Sequence, residues 1–280
     1  MRFIIVVFAA GTGMLLLGIA AAQAPASQDR GALTHQLREQ EALGAATTSD
    51  EELQRRYIAT LTALGYHDLV AEQYVGMLRR QSDNPSLWRL AGEAWMRVGP
   101  YGRNKAFEAL KKAQALDAEA YETLFLLAHL YHHEGLYAAA EDLYEAVLAK
   151  APEHTRALLG RAVLMARNGD IAEASRSFDE IGAAAQEYDV EARIMLRKAL
   201  FDFERRGGWF EDNAANHAAY ARLLYRAGRL TDALMAARRA VAHNEDDYRT
   251  WNFIAAMSLQ IGNLENAEQA YGKSLAANPD

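Results

Sequence analysis

The stretch YETLFLLAHLYHHEGLYAAAEDLYEAVLAKAPEH, residues 121–154, decides the fold of this chain. Apolar and small residues recur in both of its halves at steps of three and four, which is the spacing of one face of an amphipathic helix. Gly135 separates the halves and can take the positive φ that helix ends favour, and Pro152 closes the second half. The stretch therefore predicts two antiparallel helices joined by a tight turn. The recurring residues are Leu124, Leu127, Ala128 and Tyr131 in the first half and Ala140, Tyr144, Val147 and Leu148 in the second.

Most of the remaining chain repeats this unit. Copies with the same spacing cover residues 51–84, 85–120, 155–188, 214–247 and 248–280, and the copy at 85–120 has two extra residues in its turn. Small residues recur where two helices would approach closely, because a larger side chain would push the helices apart. We expect the stacked copies to share one continuous core. The small positions are Gly92, Ala106, Ala128, Ala140, Ala162, Ala174, Ala221, Ala233, Ala255 and Ala267.

The 34-residue period, with small residues at positions 8 and 20 and a proline near position 32, resembles the tetratricopeptide repeat. The resemblance implies an all-α fold, a right-handed superhelical solenoid of antiparallel helical hairpins with about six repeat motifs. It also implies a non-catalytic role in binding protein or peptide partners. In this family the first helices of successive hairpins line a concave groove that receives the partner.

Composition excludes several functional classes. The chain has 280 residues, a hydrophobic fraction of 51% and a formal charge of −7 at pH 7. The negative charge argues against nucleic-acid binding, which usually needs a basic face. The absence of cysteine excludes disulfides, thiolate metal sites and cysteine nucleophiles. The sequence has neither a glycine-rich phosphate loop nor a nucleophile elbow, so we predict no enzymatic activity and no cofactor.

The N-terminal residues are typical of an exported protein. Residues 1–22 combine a basic start, an apolar run and small residues at the end, which is the pattern of a secretory signal peptide. We predict cleavage after Ala22, although the run is also long enough to remain as a membrane anchor at residues 3–22. Residues 23–50 predict a flexible tether with one short helix at residues 33–43. In either case we expect the repeats in the bacterial periplasm, free or anchored to the inner membrane.

The repeats are interrupted after the fourth copy. Residues 190–206 have the apolar face of a single helix, and two glycines followed by Trp209 and Phe210 come directly after it. One interpretation is a decayed repeat whose aromatic residues plug the solenoid. The other is a hinge, or an exposed aromatic contact, between two blocks of repeats. The predicted segments are a four-repeat block at 51–188, an irregular helix and loop at 189–213, and a two-repeat block at 214–280.

Three histidines form the densest group of potential metal ligands. His129, His132 and His133 lie within one predicted helix, where spacings of three and four residues place side chains on a common face. The sequence has no HExxH arrangement and no third ligand can be identified from it, so we predict no metal site. As an alternative, these histidines contact a metal- or haem-related client, and the chain is then an assembly factor for a pilus, secretion or c-type cytochrome complex.

The resemblance places positions 2, 5, 9, 12 and 13 of each first helix on the groove. Across six copies these positions carry eight arginines and three glutamates, although the chain as a whole is acidic. Because arginine suits carboxylates, we predict that the groove binds an extended or acidic segment of a partner. The alternative is that these arginines pair with acids of neighbouring helices. The predicted groove residues are Arg89, Glu93, Arg97, Phe125, His129, His132, His133, Arg156, Arg167, Arg222, Tyr225 and Arg226.

Together these observations predict a scaffold or adaptor of the bacterial cell envelope that binds a protein or peptide partner and no nucleic acid. An uncleaved N-terminal segment would be its membrane contact. The ends of a helical stack leave apolar surface open, so a homo-oligomer is a further alternative.

Overall fold

The computed structural model describes residues 27–48, 50–182 and 189–278. Within these ranges the chain consists of helices joined by turns and short loops, with no strand, which confirms the predicted all-α helical-repeat solenoid. The predicted signal peptide at residues 1–22 lies outside the described residues. In the described part, no helix combines the length and the apolar character needed to cross a membrane.

The described residues form two compact units, one up to residue 66 and the other from residue 67 onward. In the first unit, helix α1 (Ser27–Ala42) packs against helix α2 (Glu51–Leu64). The carboxylate of Asp50 accepts hydrogen bonds from the first N–H groups of α2 at 3.0 and 3.1 Å, which caps that helix. Helix α1 begins earlier than the short helix predicted at residues 33–43, because the last proline before it is Pro25.

The second unit consists of consecutive helices that pack as antiparallel hairpins. The hairpins are α4 with α5, α6 with α7, α8 with α9, α11 with α12, and α13 with α14. A short 3-10 helix, Gly99–Gly102, contains the two extra residues in the turn between α4 and α5. The helices are α3 (His67–Leu78), α4 (Pro85–Arg97), α5 (Arg103–Leu116), α6 (Tyr121–His133), α7 (Tyr137–Lys150), α8 (Thr155–Asn168), α9 (Ile171–Ile181), α10 (Asp189–Arg205), α11 (Ala214–Arg226), α12 (Leu230–His243), α13 (Tyr248–Gln260) and α14 (Leu264–Ala277).

The small residues of the repeat lie at close contacts between helices. All ten of the small positions named above are buried. A Cβ atom on Gly92 of α4 would lie 2.6 Å from Cγ of Leu110 in α5, so a larger residue there would force the two helices apart. In the turn between α6 and α7, Gly135 has a φ of 78°, the left-handed conformation that glycine adopts without steric cost.

Helix α10 is the exception to the hairpin pattern. It lies along α8, and its buried residues Leu196, Leu200 and Phe203 belong to the core that α8, α11 and α12 also form. Helix α9 packs directly against α11. The stack of hairpins therefore continues from α9 to α11, while α10 is an additional helix that packs on α8.

The two aromatic residues after α10 have different environments. Phe210 packs against Phe203, with the two rings stacked and their centroids 6.3 Å apart, and it joins the core. The side chain of Trp209 is exposed, with 81% of its surface accessible. Phe210 thus matches the interpretation of an aromatic plug, and Trp209 matches that of an exposed aromatic contact.

Candidate partner-binding site

The predicted groove residues of the second unit lie on its first helices. We call the surface formed by α4, α6, α8, α11 and α13 the first-helix face. Helix α10 covers its α8 part, where Leu159, Val163 and Ala166 are buried. Helix α10 of the chain itself therefore occupies the α8 part of the predicted groove. The other parts lie on the helices before α8 and after it.

Helix α10 brings a carboxylate to the basic residues of α6 and α8. Glu191 accepts a hydrogen bond from His129 and lies 3.3 Å from the guanidinium of Arg156. Burial favours a raised pKa for Glu191, but the hydrogen bond from His129 and the charges of His129 and Arg156 outweigh it and lower that pKa to about 2. Glu191 is therefore ionised at neutral pH, and α10 supplies an anion to this part of the face.

A second acid near the end of α10 makes a similar contact. Asp202 accepts a hydrogen bond from the hydroxyl of Tyr137 at 3.1 Å and lies 3.9 Å from Nε of Arg167. The guanidinium of Arg167 lies over the ring of Tyr137, 3.7 Å from its centroid. The two ends of α10 thus place acids on arginines of α8, and apolar residues fill the space between them.

The α4 part of the face is less basic than the arginine count suggests. Arg97 pairs with Glu93 one turn earlier in the same helix at 3.1 Å, and both side chains are half-buried. Arg89 is also half-buried on this helix. Since Glu93 and Arg97 pair with each other, Arg89 is the remaining charged residue among the predicted groove residues of this helix.

The α11 part combines two arginines with an exposed aromatic residue. Arg226 pairs with Asp179 of α9 at 2.8 Å, and Arg222 donates to the hydroxyl of Ser175 at 3.0 Å. Tyr225 is 41% exposed and its ring meets Phe253 of α13 edge to face at 5.5 Å. The arginines here pair with acids of a neighbouring helix, as the alternative interpretation of the sequence proposed, yet they remain at the surface beside an aromatic ring.

Helix α13 presents an open surface. Each of its residues at the groove positions of the repeat is exposed, in contrast to the buried residues at the equivalent positions of α8. These exposed residues are Arg249, Asn252, Ala256, Leu259 and Gln260. The α11–α13 part of the first-helix face is therefore more accessible than its α8 part.

Two predicted groove residues do not lie on the groove surface. His132 is only 5% exposed, and burial, with help from the charges of His129 and His133, lowers its pKa to about 3. Phe125 is 4% exposed, because Arg156 and His154 lie over its ring at 4.7 and 4.6 Å. The prediction that these two side chains face a partner is therefore wrong, and both are core residues.

Sequence reasoning did not identify the two acidic residues that contact arginines of the predicted groove. Glu191 and Asp202 lie more than 30 residues from the arginines they contact, so no local spacing could reveal the pairing. A second cluster consists of Asp212, His217 and His243, in which one carboxylate oxygen contacts both rings at 2.6 and 3.1 Å. No local sequence spacing could reveal this cluster either, because its histidines lie in different helices.

An open cavity of about 410 Å³ lies beside the end of α10, and Phe203, Phe210 and Tyr220 are among its lining residues. Three of its charged groups pair with one another. Arg229 donates to Glu204 and to Asp232, both at 2.7 Å. Arg239, which is exposed, is a further charged residue of the lining.

Comparison with known proteins identifies the repeats. Residues 132–200 and 219–280 each match a family model described as tetratricopeptide repeat. These two segments are similar to tetratricopeptide repeats. The first of these matched segments includes the beginning of α10, so the helix that covers α8 belongs to tetratricopeptide-like sequence. A search of curated protein sequences finds no match.

Several solved tetratricopeptide structures are similar to the chain at low identity. MamA is 15% identical, with 78% of this chain and 92% of that chain covered and a TM-score of 0.35. YrrB, described as a TPR protein with an unusual peptide-binding site, is 15% identical, with coverages of 75% and 94% and a TM-score of 0.35. A tetratricopeptide repeat protein from Parabacteroides merdae is 16% identical, with coverages of 90% and 94% and a TM-score of 0.39.

Proposed function

We propose that this protein is a non-catalytic adaptor that binds an acidic segment of a protein partner on the α11–α13 part of its first-helix face. Tetratricopeptide arrays use such surfaces to bind extended segments of other proteins. The apolar N-terminal run supports a location in the envelope of a bacterial cell, as a periplasmic or membrane-anchored protein.

The contact between α10 and α8 is the observation that carries this proposal. On α8 the chain's own helix covers the groove positions, places Glu191 and Asp202 on Arg156 and Arg167, and buries apolar residues between the acids. This contact is an internal example of what the first-helix face binds: a segment with acids at its ends and apolar residues between them.

The α11–α13 part repeats this chemistry without an occupant among the described residues. Arg226 is the equivalent of Arg167 in the repeat, and Tyr225 beside it is exposed. The arginine pairs with Asp179 are half-exposed, and such pairs contribute only about 0.2–1 kcal/mol each, so a partner's carboxylate can compete for them. Exposed Leu259 of α13 offers apolar contact beside these charges.

A binding experiment with a charge-matched control tests the proposal. The probe is a fluorescein-labelled peptide rich in Asp, Glu and Leu, and its affinity for the full chain is measured at two salt concentrations. The variant R222Q/R226Q removes two charges from the face, and the control R238Q/R239Q removes two charges from exposed positions of α12.

We expect R222Q/R226Q to weaken binding by about two- to thirtyfold, since each exposed charge is worth about 0.2–1 kcal/mol. Binding by the parent should also weaken with salt, because exposed charges are screened. The control should bind as the parent does. Equal losses in both variants would show a mere effect of net charge and would contradict the proposed site.

A further inference from the structure

Three side chains of α6 and α10 bring potential metal ligands to one point. Nε2 of His129, Nε2 of His133 and a carboxylate oxygen of Glu191 all lie within 4.8 Å of one another. The two histidines are one helical turn apart on α6, with 3.3 Å between their Nε2 atoms. Glu191 of α10 contacts the same nitrogen of His129.

The one proton that Nε2 of His129 can carry serves both of its contacts only if it is shared between Glu191 and His133. The Nε2 atom of His129 carries either a proton or a lone pair. If it carries the proton and donates to Glu191, it cannot accept a hydrogen bond from His133. If it carries the lone pair, it can accept from His133 but then faces the carboxylate, lone pair against lone pair. A cation at the meeting point accepts electron pairs from all three atoms and removes this conflict.

The separation of the two histidine nitrogens and the ligand types suit zinc. Zinc binds histidine nitrogen at about 2.0–2.1 Å, which places two ligands of a tetrahedron about 3.4 Å apart. The observed separation of 3.3 Å between the two Nε2 atoms is close to this value. Imidazole with carboxylate is a set that zinc accepts, whereas magnesium and calcium prefer oxygen ligands alone.

We propose that His129, His133 and Glu191 bind a zinc ion that joins α10 to α6, with the fourth position taken by water or by a group of a partner. The second carboxylate oxygen of Glu191 lies 3.3 Å from Arg156, which orients the carboxylate from the side of α8. Three positive charges act on this cluster, those of Arg156, of Lys198 and of Arg103, which pairs with Glu134. Because these charges oppose binding of a cation, the carboxylate of Glu191 is essential to the site.

The cluster of Asp212, His217 and His243 carries no such conflict. One oxygen of Asp212 can accept a hydrogen bond from each ring, at 2.6 and 3.1 Å, with its two lone pairs. Its contacts are satisfied without an ion, so this cluster provides a matched control.

The experiment titrates the metal-free full chain with zinc chloride in competition with a chromophoric chelator. The samples are the parent, His133→Ala, Glu191→Gln and the control His243→Ala. Circular dichroism establishes that each is folded. We expect one zinc per chain in the parent and in His243→Ala, and affinities at least about tenfold weaker in the other two, since loss of even an outer-shell partner costs about 10–100-fold.

Thermal melts supply a second measurement. Zinc should raise the Tm of the parent and of His243→Ala and should leave that of Glu191→Gln unchanged, because a ligand stabilises only the state that binds it. The proposal is overturned if the parent binds no zinc, or if His133→Ala and Glu191→Gln keep the parental affinity. Loss of zinc from His243→Ala alone would place the ion at the second cluster and would overturn the proposal as well.

Discussion

The ring of Tyr144 in α7 lies directly over Gly160 of α8, where a Cβ atom would come within 2.4 Å of Cζ of the ring. Tyr144 is fully buried, and no hydrogen-bond partner for its hydroxyl is found among the described residues. The largest fully buried side chain among the described residues thus depends on the smallest residue of the adjacent repeat. The contact joins two hairpins, so a substitution at Gly160 tests whether the repeats stack in this way.

We predict that Gly160→Ala destabilises the protein by roughly 1–3 kcal/mol, because the added methyl group overlaps the Tyr144 ring. The measurement is the midpoint of urea unfolding followed by circular dichroism. Gly272→Ala is the matched control, since it adds the same group to a helix with no heavy atom within 4 Å and should stabilise by about 0.5–1 kcal/mol. If both variants unfold like the parent, the two hairpins do not pack as described.

Protonation of His132 should destabilise the folded protein in mild acid. Burial, with the charges of His129, His133, Lys198 and Arg167 added, lowers its pKa from 6.5 to about 3, so the unfolded chain takes up a proton first as the pH falls. The contribution of neutral His132 to the free energy of unfolding is complete above pH 6.5. It is lost progressively as the pH falls toward 3. Between pH 7 and pH 5 the loss is about 2 kcal/mol.

The variant His132→Phe removes this titration, and the exposed His35→Phe is its control. We expect the parent and His35→Phe to lose about 2 kcal/mol more than His132→Phe between pH 7 and pH 5, measured by urea unfolding at both values. Glu191 does not obscure the comparison, because it stays ionised across this range. Identical losses in all three proteins would show that His132 is accessible to water.

The sequence was sufficient to locate the repeats and insufficient to place α10. The spacing of the repeat located the five hairpins of the second unit, and the apolar pattern of residues 190–206 nearly matches the observed Asp189–Arg205. Nothing local determines that this helix packs on α8, because its apolar face could equally have begun a regular hairpin. That packing depends on contacts across more than 30 residues, such as Glu191 with Arg156 and Asp202 with Arg167.

The errors at individual groove positions have the same origin. His132 and His133 are adjacent in the sequence, but a helix turns about 100° per residue, so one points into the core and the other outward. Phe125 occupies a groove position of the repeat and is nevertheless buried, because Arg156 of the next hairpin covers its ring. A repeat pattern determines the face of a helix but not what the neighbouring repeat places on that face.

The sequence of the N-terminal segment predicts where in the cell the protein is located. Expressed as the full chain in a bacterium, the protein should be recovered from the periplasm with Gln23 as its first residue, because Ala20 and Ala22 match the small residues before a signal cleavage site. Cell fractionation and N-terminal sequencing measure both points. Recovery in the membrane with Met1 retained would favour the anchor instead, and recovery from the cytoplasm would contradict export.

Site-specific photocrosslinking tests the proposed partner site most directly. The variant Tyr225→p-benzoylphenylalanine places the reactive group on the first-helix face, and Met235→p-benzoylphenylalanine places it on the exposed surface of α12. The labelled acidic peptide is added to each full chain, irradiated and analysed by gel and mass spectrometry. The account predicts a crosslink from position 225 that excess unlabelled peptide abolishes, and none from position 235. Crosslinking from position 235 with none from position 225 would contradict it.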